Sequence, residues 1–431
     1  MVMVMVMVIV LGMVLQAGAL EAELSPEEAR ARDKIHSLPG LALELELDDA
    51  GRLPFQQFAG YFHINNRHGF FEAEVKRELF YWFVESSGEP PTDPIVFWTN
   101  GGPGCSGLLG FLSEMGPFRP TKDGGLQLNP YSWNQRANMV FIESPEGVGF
   151  SHSDADTDFA DDRSTAILNH KIITMFIERF PQFKSNDLYL ASESYGGHYL
   201  PTLAVELVQD KTLNFKGFSV GNPFTTLESG DYSFFNTAWG HQMIALPTWT
   251  QFEEECKDVK RPDLERCASL EIEMHIQMGK LNPYAIDFPS CVPNDAVQSD
   301  QLLRTLASSS EHSNKRERRS PLLTAKGLKN KIEYQPCEDD YVTRYLNRLD
   351  VQIAIHAATS ESDLKPWKKC STELKYSHFD SQMSMVPIYK QLLADPYLDV
   401  SSYLPFFYCR QCTEIYILVL IYCDMCCVLP I

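Results

Sequence analysis

Positive charge is in short supply in this 431-residue sequence: 37 Lys and Arg face 57 Asp and Glu, for a formal net charge of -20. A phosphate backbone is held by a basic face, so nucleic acid is excluded as a partner. No Asn-x-Ser/Thr triplet occurs, which leaves a glycan-based sorting route without support. A full membrane span is also wanting. Met1 to Leu15 is uncharged and apolar but falls short of the ~20 residues a span needs. The stretch lacks a basic n-region, which leaves a membrane anchor as the alternative, but the small residues Ala17-Gly18-Ala19 that follow it suit cleavage after Ala19, so residues 1–19 are expected to be a signal peptide. A membrane partner is not expected.

Cysteine is plentiful, with eleven in all. Six of them (Cys105, Cys256, Cys267, Cys291, Cys337, Cys370) lie in the body, an even number compatible with three disulfides in an oxidising secretory compartment. The other five crowd into the last 23 residues. Apolar residues make up 44% and aromatics 12%, ample for a sizeable core.

Residues 20–50 are charged at first and read as an N-terminal arm or propeptide. Gly60 to Ile64 and Glu78 to Val84 carry the aromatic and β-branched content of strands and predict an antiparallel start to a sheet. Compact apolar runs follow at Ile95 to Thr99, Met139 to Ile142, Leu188 to Ala191 and Gly217 to Val220, with helical stretches such as Arg163 to Phe180 between them. Short buried strands alternating with helices predict an α/β fold with a mostly parallel central sheet. The first part of that core spans 51–231. From Tyr232 the alternation stops, and 232–334 reads as a helical cap insertion whose loop 308–320 is polar and basic, a candidate protease-processing site. The core resumes over 335–399.

Asp187 to Tyr199 reads as a strand, a tight turn and the start of a helix, with Ser194 at the turn. A serine so placed is held on a sharp elbow, its hydroxyl exposed and helix N-terminal N–H groups beside it for a developing oxyanion. Ser192 stands where such an elbow usually has its first glycine, and Gly196 keeps the second. Trp98-Thr99-Asn100-Gly101-Gly102-Pro103-Gly104-Cys105-Ser106 follows an expected strand, and its paired glycines would let backbone amides face a cavity, as the other half of an oxyanion hole requires.

Asn100 to Ser106, Glu143 to Ser151, Glu193 to Tyr199 and Gly221-Asn222-Pro223 together resemble the successive motifs of the serine carboxypeptidases, the cathepsin A-like family. The resemblance runs from about Phe58 to Asp399. It implies an α/β-hydrolase fold with a helical cap, Ser194 as nucleophile, and the N–H groups of Gly102 and Tyr195 as the oxyanion hole. It also implies that Asn100, Glu114 and Glu193, with Trp98 beside them, hold the substrate's C-terminal carboxylate, and that Cys105 pairs with Cys337. Substrates would be peptide or protein C-termini, hydrolysed at acid pH in a lysosome, vacuole or extracellular space. No cofactor and no metal are implied; oligomeric state stays open. Two acids receiving a third carboxylate cannot all be ionised, so binding should prefer acid pH. An acyltransferase on the same frame and a non-catalytic binding homologue are the alternatives.

A serine hydroxyl needs a histidine to take its proton and an acid to orient that histidine, both following the nucleophile in chain order. The family's Tyr-Ser-Gly-Asp-x-Asp-like and Gly-His-x-x-Pro-like segments do not occur. His241, His275, His312, His356 and His378 follow Ser194 in cap, loop or helix-like contexts, and His198 sits on the elbow helix with a packing role expected. The expectation is therefore a core that stops at Asp399, lacking its last strands and C-terminal helix, and a chain inactive as it stands. Residues 400–431 read as a hydrophobic, Cys-rich tail foreign to the family. Its Cys409-x-x-Cys412 and Cys423-x-x-Cys426 pairs formally invite zinc, but the apolar Ile415 to Tyr422 between them argues against it.

Overall fold

The computed structural model describes residues 24–41, 55–68, 73–154, 159–226, 232–256, 264–279, 281–282, 286, 291 and 337–403. The expected signal peptide, loop 308–320, His312 and the CxxC pairs of the tail lie outside these.

In chain order the elements are α1 (Pro26–Asp33), β1 (Gln57–His68), β2 (Ala73–Val84), β3 (Ile95–Thr99), α2 (Gly107–Ser113), β4 (Phe118–Pro120), β5 (Leu126–Leu128), β6 (Asn138–Ile142) and β7 (His152–Ser153). Then come β8 (Phe159–Ala160), α3 (Asp162–Arg179), β9 (Leu188–Glu193), α4 (Gly196–Gln209), β10 (Phe215–Gly221), α5 (Ser233–Gly240), α6 (Leu246–Cys256) and α7 (Leu264–Met278). The rest are α8 (Glu338–Leu346), α9 (Leu349–Ala354), β11 (Lys375–Tyr376), α10 (His378–Gln382), α11 (Val386–Leu393) and β12 (Asp399–Tyr403). The central sheet has eight strands, ordered β1-β2-β6-β3-β9-β10-β12 with β7 added beside β2. The pairs β6–β3, β3–β9, β9–β10 and β10–β12 are parallel, while β1–β2, β2–β6 and β2–β7 are antiparallel.

Side-chain alternation assigns the two faces. Leu79, Tyr81 and Phe83 of β2, Ile95 and Phe97 of β3, and Val140 and Ile142 of β6 enter one core with Phe176 of α3, Leu203 of α4 and Leu392 of α11. Their neighbours Phe80, Trp82, Val96, Trp98, Met139 and Phe141 enter a second core with Phe111 of α2 and Val342 and Leu346 of α8. Helices thus cover both faces, and strands buried on both sides read as continuous apolar runs. The α/β expectation holds. Helices α5 to α7 carry a small core of their own, including Phe235, Trp249, Phe252, Leu270 and Met274.

Two expectations are corrected. The core does not stop at Asp399: Asp399–Tyr403 forms a strand parallel to β10, with Gly217 opposite Asp399 and Gly221 opposite Tyr403. A polar five-residue strand carries no apolar run by which to recognise it. Cys105 does not pair with Cys337. Cys105 bonds Cys370, Cys291 bonds Cys337, and Cys256 bonds Cys267. Cys105 and Cys370 face each other across an antiparallel bridge, whereas Cys337 caps the start of α8 and is joined there to Cys291.

Candidate active site

The carboxyl ends of β3 and β9 lie side by side, with Thr99 opposite Ser192, and each strand runs directly into one of the two motifs. Ser194 leaves β9 in the left-handed region at φ 54°, an unusual conformation for a side-chain-bearing residue and the mark of a forced elbow. Its backbone is held on both sides: Ser194 N–H donates to Gly221 O at 2.9 Å, and its carbonyl accepts from Phe224 N at 2.7 Å and Gly197 N at 2.9 Å. Helix α4 begins two residues later, so its N-terminus points at the serine.

The glycine loop closes on this elbow. A Cβ on Gly101 would stand 2.5 Å from Tyr195 N and 3.0 Å from Ser194 Cβ, so only glycine permits the approach. Gly102 follows at φ 116°, a conformation that also favours glycine. Among the described residues neither the Gly102 nor the Tyr195 N–H donates a hydrogen bond. Tyr199 reaches back from α4, its hydroxyl accepting from Gly104 N at 3.2 Å, which ties the loop to the elbow helix.

Beside the serine stands a cluster of acids around Asn100. Asn100 is buried; its amide donates to Glu193 Oε1 at 2.8 Å and, at 3.4 Å, to Glu114 Oε1. Its carbonyl oxygen accepts from Trp98 Nε1 at 2.8 Å and Gly110 N at 3.1 Å. That fixes which end of the amide faces the acids. Trp98 is fully buried, and its indole N–H is given to Asn100. Burial and the charge of Glu193 push the Glu114 carboxyl up to about 8; burial also raises Glu193, against the Asn100 and Glu114 hydrogen bonds. Near neutrality the pair therefore shares a proton, in a hydrogen bond between the two carboxyls.

A second buried acid supports the loop from behind. Glu143 accepts from Trp367 Nε1 at 2.8 Å and Phe150 N at 2.6 Å and bonds the Ser106 hydroxyl, which caps α2 by accepting from Leu108 N. Burial pushes it up to about 7. Glu143 stood in a motif visible in the sequence, but its partner Trp367 is 224 residues away.

The histidines are engaged elsewhere. His198 is wholly buried, with Nδ1 2.9 Å from Asp162 Oδ2 and its ring stacked 4.6 Å from that of Tyr195, the packing role expected. His241 Nδ1 faces Thr237 O, His356 Nδ1 faces Ala59 O, and His275 packs on Phe234 and Phe235. His378 opens α10. Among the described residues no histidine hydrogen-bonds to Ser194. The one group of potential metal ligands among them, Cys291, Cys337 and Asp340, has its two sulfurs joined in a disulfide.

A serine elbow, a glycine loop and a helix N-terminus on one sheet are shared by many hydrolases; the match of the whole chain decides between them. A serine carboxypeptidase family profile matches residues 48–403. The chain belongs to the serine carboxypeptidase family. It is 36% identical over 375 residues to serine carboxypeptidase-like 22 of Arabidopsis thaliana, covering 84% of this chain and 74% of that protein. It is 35% identical over 382 residues to serine carboxypeptidase 24 of the same plant, covering 86% and 76%. The crystal structure of Kex1(Δ)p, a prohormone-processing carboxypeptidase of Saccharomyces cerevisiae, superposes with a TM-score of 0.58 at 22% identity, covering 87% of this chain and 78% of that one. By family this serine carboxypeptidase is a hydrolase of the serine peptidase type. The three disulfides among the described residues fit a secretory protein. No helix among the described residues is long and apolar enough to cross a membrane.

Proposed function

We propose that the site binds the C-terminus of a peptide and is built to release its last residue through an acyl-enzyme on Ser194, in an acidic compartment of the secretory pathway such as a lysosome or vacuole. The juxtaposition that carries this reading is the proton-sharing Glu114–Glu193 pair, on Asn100, immediately beside a strained serine elbow. A terminal carboxylate entering there accepts hydrogen bonds from the Asn100 amide and the Glu114 carboxylic acid. The scissile carbonyl would then lie toward Ser194, with the N–H groups of Gly102 and Tyr195 as donors to its oxygen. Attack by Ser194 Oγ forms the ester and releases the terminal amino acid; water hydrolyses the ester and restores the hydroxyl. Both steps move a proton through a base, and no described histidine reaches that hydroxyl. The 431-residue chain is therefore expected to bind substrate without turning it over.

The test is a blocked dipeptide at pH 5 with the full chain and its Ser194→Ala variant. Equal background hydrolysis by the two, together with saturable binding of the dipeptide, is the expected result. Turnover that Ser194→Ala abolishes would overturn the inactive reading, and absence of binding would overturn the pocket.

A further inference from the structure

The backbone carbonyl of Glu114 is a junction that the carboxylate-pocket reading does not use. Glu114 ends α2 with φ -122° and ψ -91°, outside helical geometry. Its carbonyl oxygen accepts from Asn129 Nδ2 at 2.9 Å and from Arg119 Nη2 at 3.1 Å. Asn129 is itself buried and gives a further bond to Gly116 O at 2.9 Å. The other arm of the Arg119 guanidinium, Nη1, pairs with Glu338 Oε1 at 2.8 Å, the two side chains being only 16% and 23% exposed. Glu338 is the first residue of α8, and the residue before it, Cys337, is disulfide-bonded to Cys291.

Two donors on one carbonyl stop the peptide plane after Glu114 from rotating, and that plane sets where the Glu114 side chain can point. The guanidinium charge is spent on Glu338, since no bond runs from Arg119 to the Glu114 carboxyl. A guanidinium turned onto that carboxyl would hold it ionised and repel a ligand carboxylate. The two-armed geometry fixes the backbone of Glu114 while leaving its carboxyl free to keep a proton.

We propose that Arg119 is a positioning residue for the terminal-carboxylate pocket, pinning Glu114 from behind and tying that pocket to the disulfide-anchored start of α8. This rests on the pocket reading above, and the test separates the two. The full chain is titrated calorimetrically at pH 5 with a blocked Phe-Leu dipeptide and with its C-terminal amide. The native chain is expected to prefer the acid by about tenfold or more. In Arg119→Met that preference falls at least about fivefold while affinity for the amide is kept, a change in selectivity that general loosening of the fold does not produce. Arg119→Lys keeps a charge for Glu338 but has no second arm; it is expected to lose preference as well, and it decides the matter by the same criterion if circular dichroism shows Arg119→Met unfolded. A native ratio in the folded variant overturns the role of Arg119. A native chain without preference for the acid overturns the pocket and this role together.

Discussion

Asn100 shows how one side chain can organise the acids of the proposed pocket. Its carbonyl oxygen is saturated by Trp98 and Gly110, so its amide nitrogen is compelled to face Glu114 and Glu193. With Glu114 raised to about 8, its carboxyl is protonated below that pH and ionised above it. If the proposed pocket takes a terminal carboxylate there, its binding is expected to be strongest in acid and to weaken as pH rises through about 8. Glu114→Gln cannot ionise at that position, so its affinity for a blocked dipeptide should fall less from pH 5 to 9 than the native affinity does, the remaining fall belonging to Glu193; calorimetry across that range checks it, and an equal fall in both would refute the assignment. Glu114, Glu193 and Asn100 were legible in the sequence because they lie within or near recognisable motifs. Arg119 and Asn129 were not, because they act through the Glu114 carbonyl, which leaves no side-chain pattern.

At the level of elements, the elbow and the glycine loop were readable because each is a local backbone demand met by neighbouring residues. Long-range pairing was not: six cysteines allow fifteen pairings, and only the bridge between Cys105 and Cys370 shows which partner is opposite. The N-terminal arm makes the same point. Helix α1 announces itself through the Ser25–Glu28 capping box and Pro26, yet nothing in its sequence tells where it docks. It docks through Asp33, almost fully buried, which accepts from Tyr81 Oη at 2.8 Å and Arg179 Nη1 at 2.7 Å. Arg179 also lies 4.2 Å above the Phe62 ring, so the arm is riveted to β1, β2 and α3 at once. Asp33→Ala strands a buried guanidinium and should cost about 3–5 kcal/mol in urea denaturation. A loss within ~0.5 kcal/mol, the range of ordinary surface changes, would show that the arm is dispensable to the core.

The acids of the whole molecule set its stability against pH. Burial holds Glu143 near 7 and Glu114 near 8, and raises Glu85, Glu193 and Glu338 as well. An acid whose folded pKa lies above its unfolded value binds protons more tightly when folded, so its contribution is complete below about 4.5 and declines as pH rises to the folded value. For Glu143 alone the decline is on the order of 3 kcal/mol between pH 4.5 and 7. The opposing carboxyls, such as Asp210 near 2, lose their contribution only as pH falls below about 4. Stability should therefore peak on the acid side, near pH 4 to 5, in keeping with an acidic compartment. Urea titrations at pH 5 and pH 8 should show the native chain weaker at pH 8. Glu143→Gln, which cannot ionise, should lose part of that difference while melting lower at pH 5, because Phe150 N–H then meets an amide nitrogen if Trp367 keeps its acceptor. A pH 5 to pH 8 difference identical in the two proteins would remove Glu143 from the account and leave the slope to the carboxylate pair.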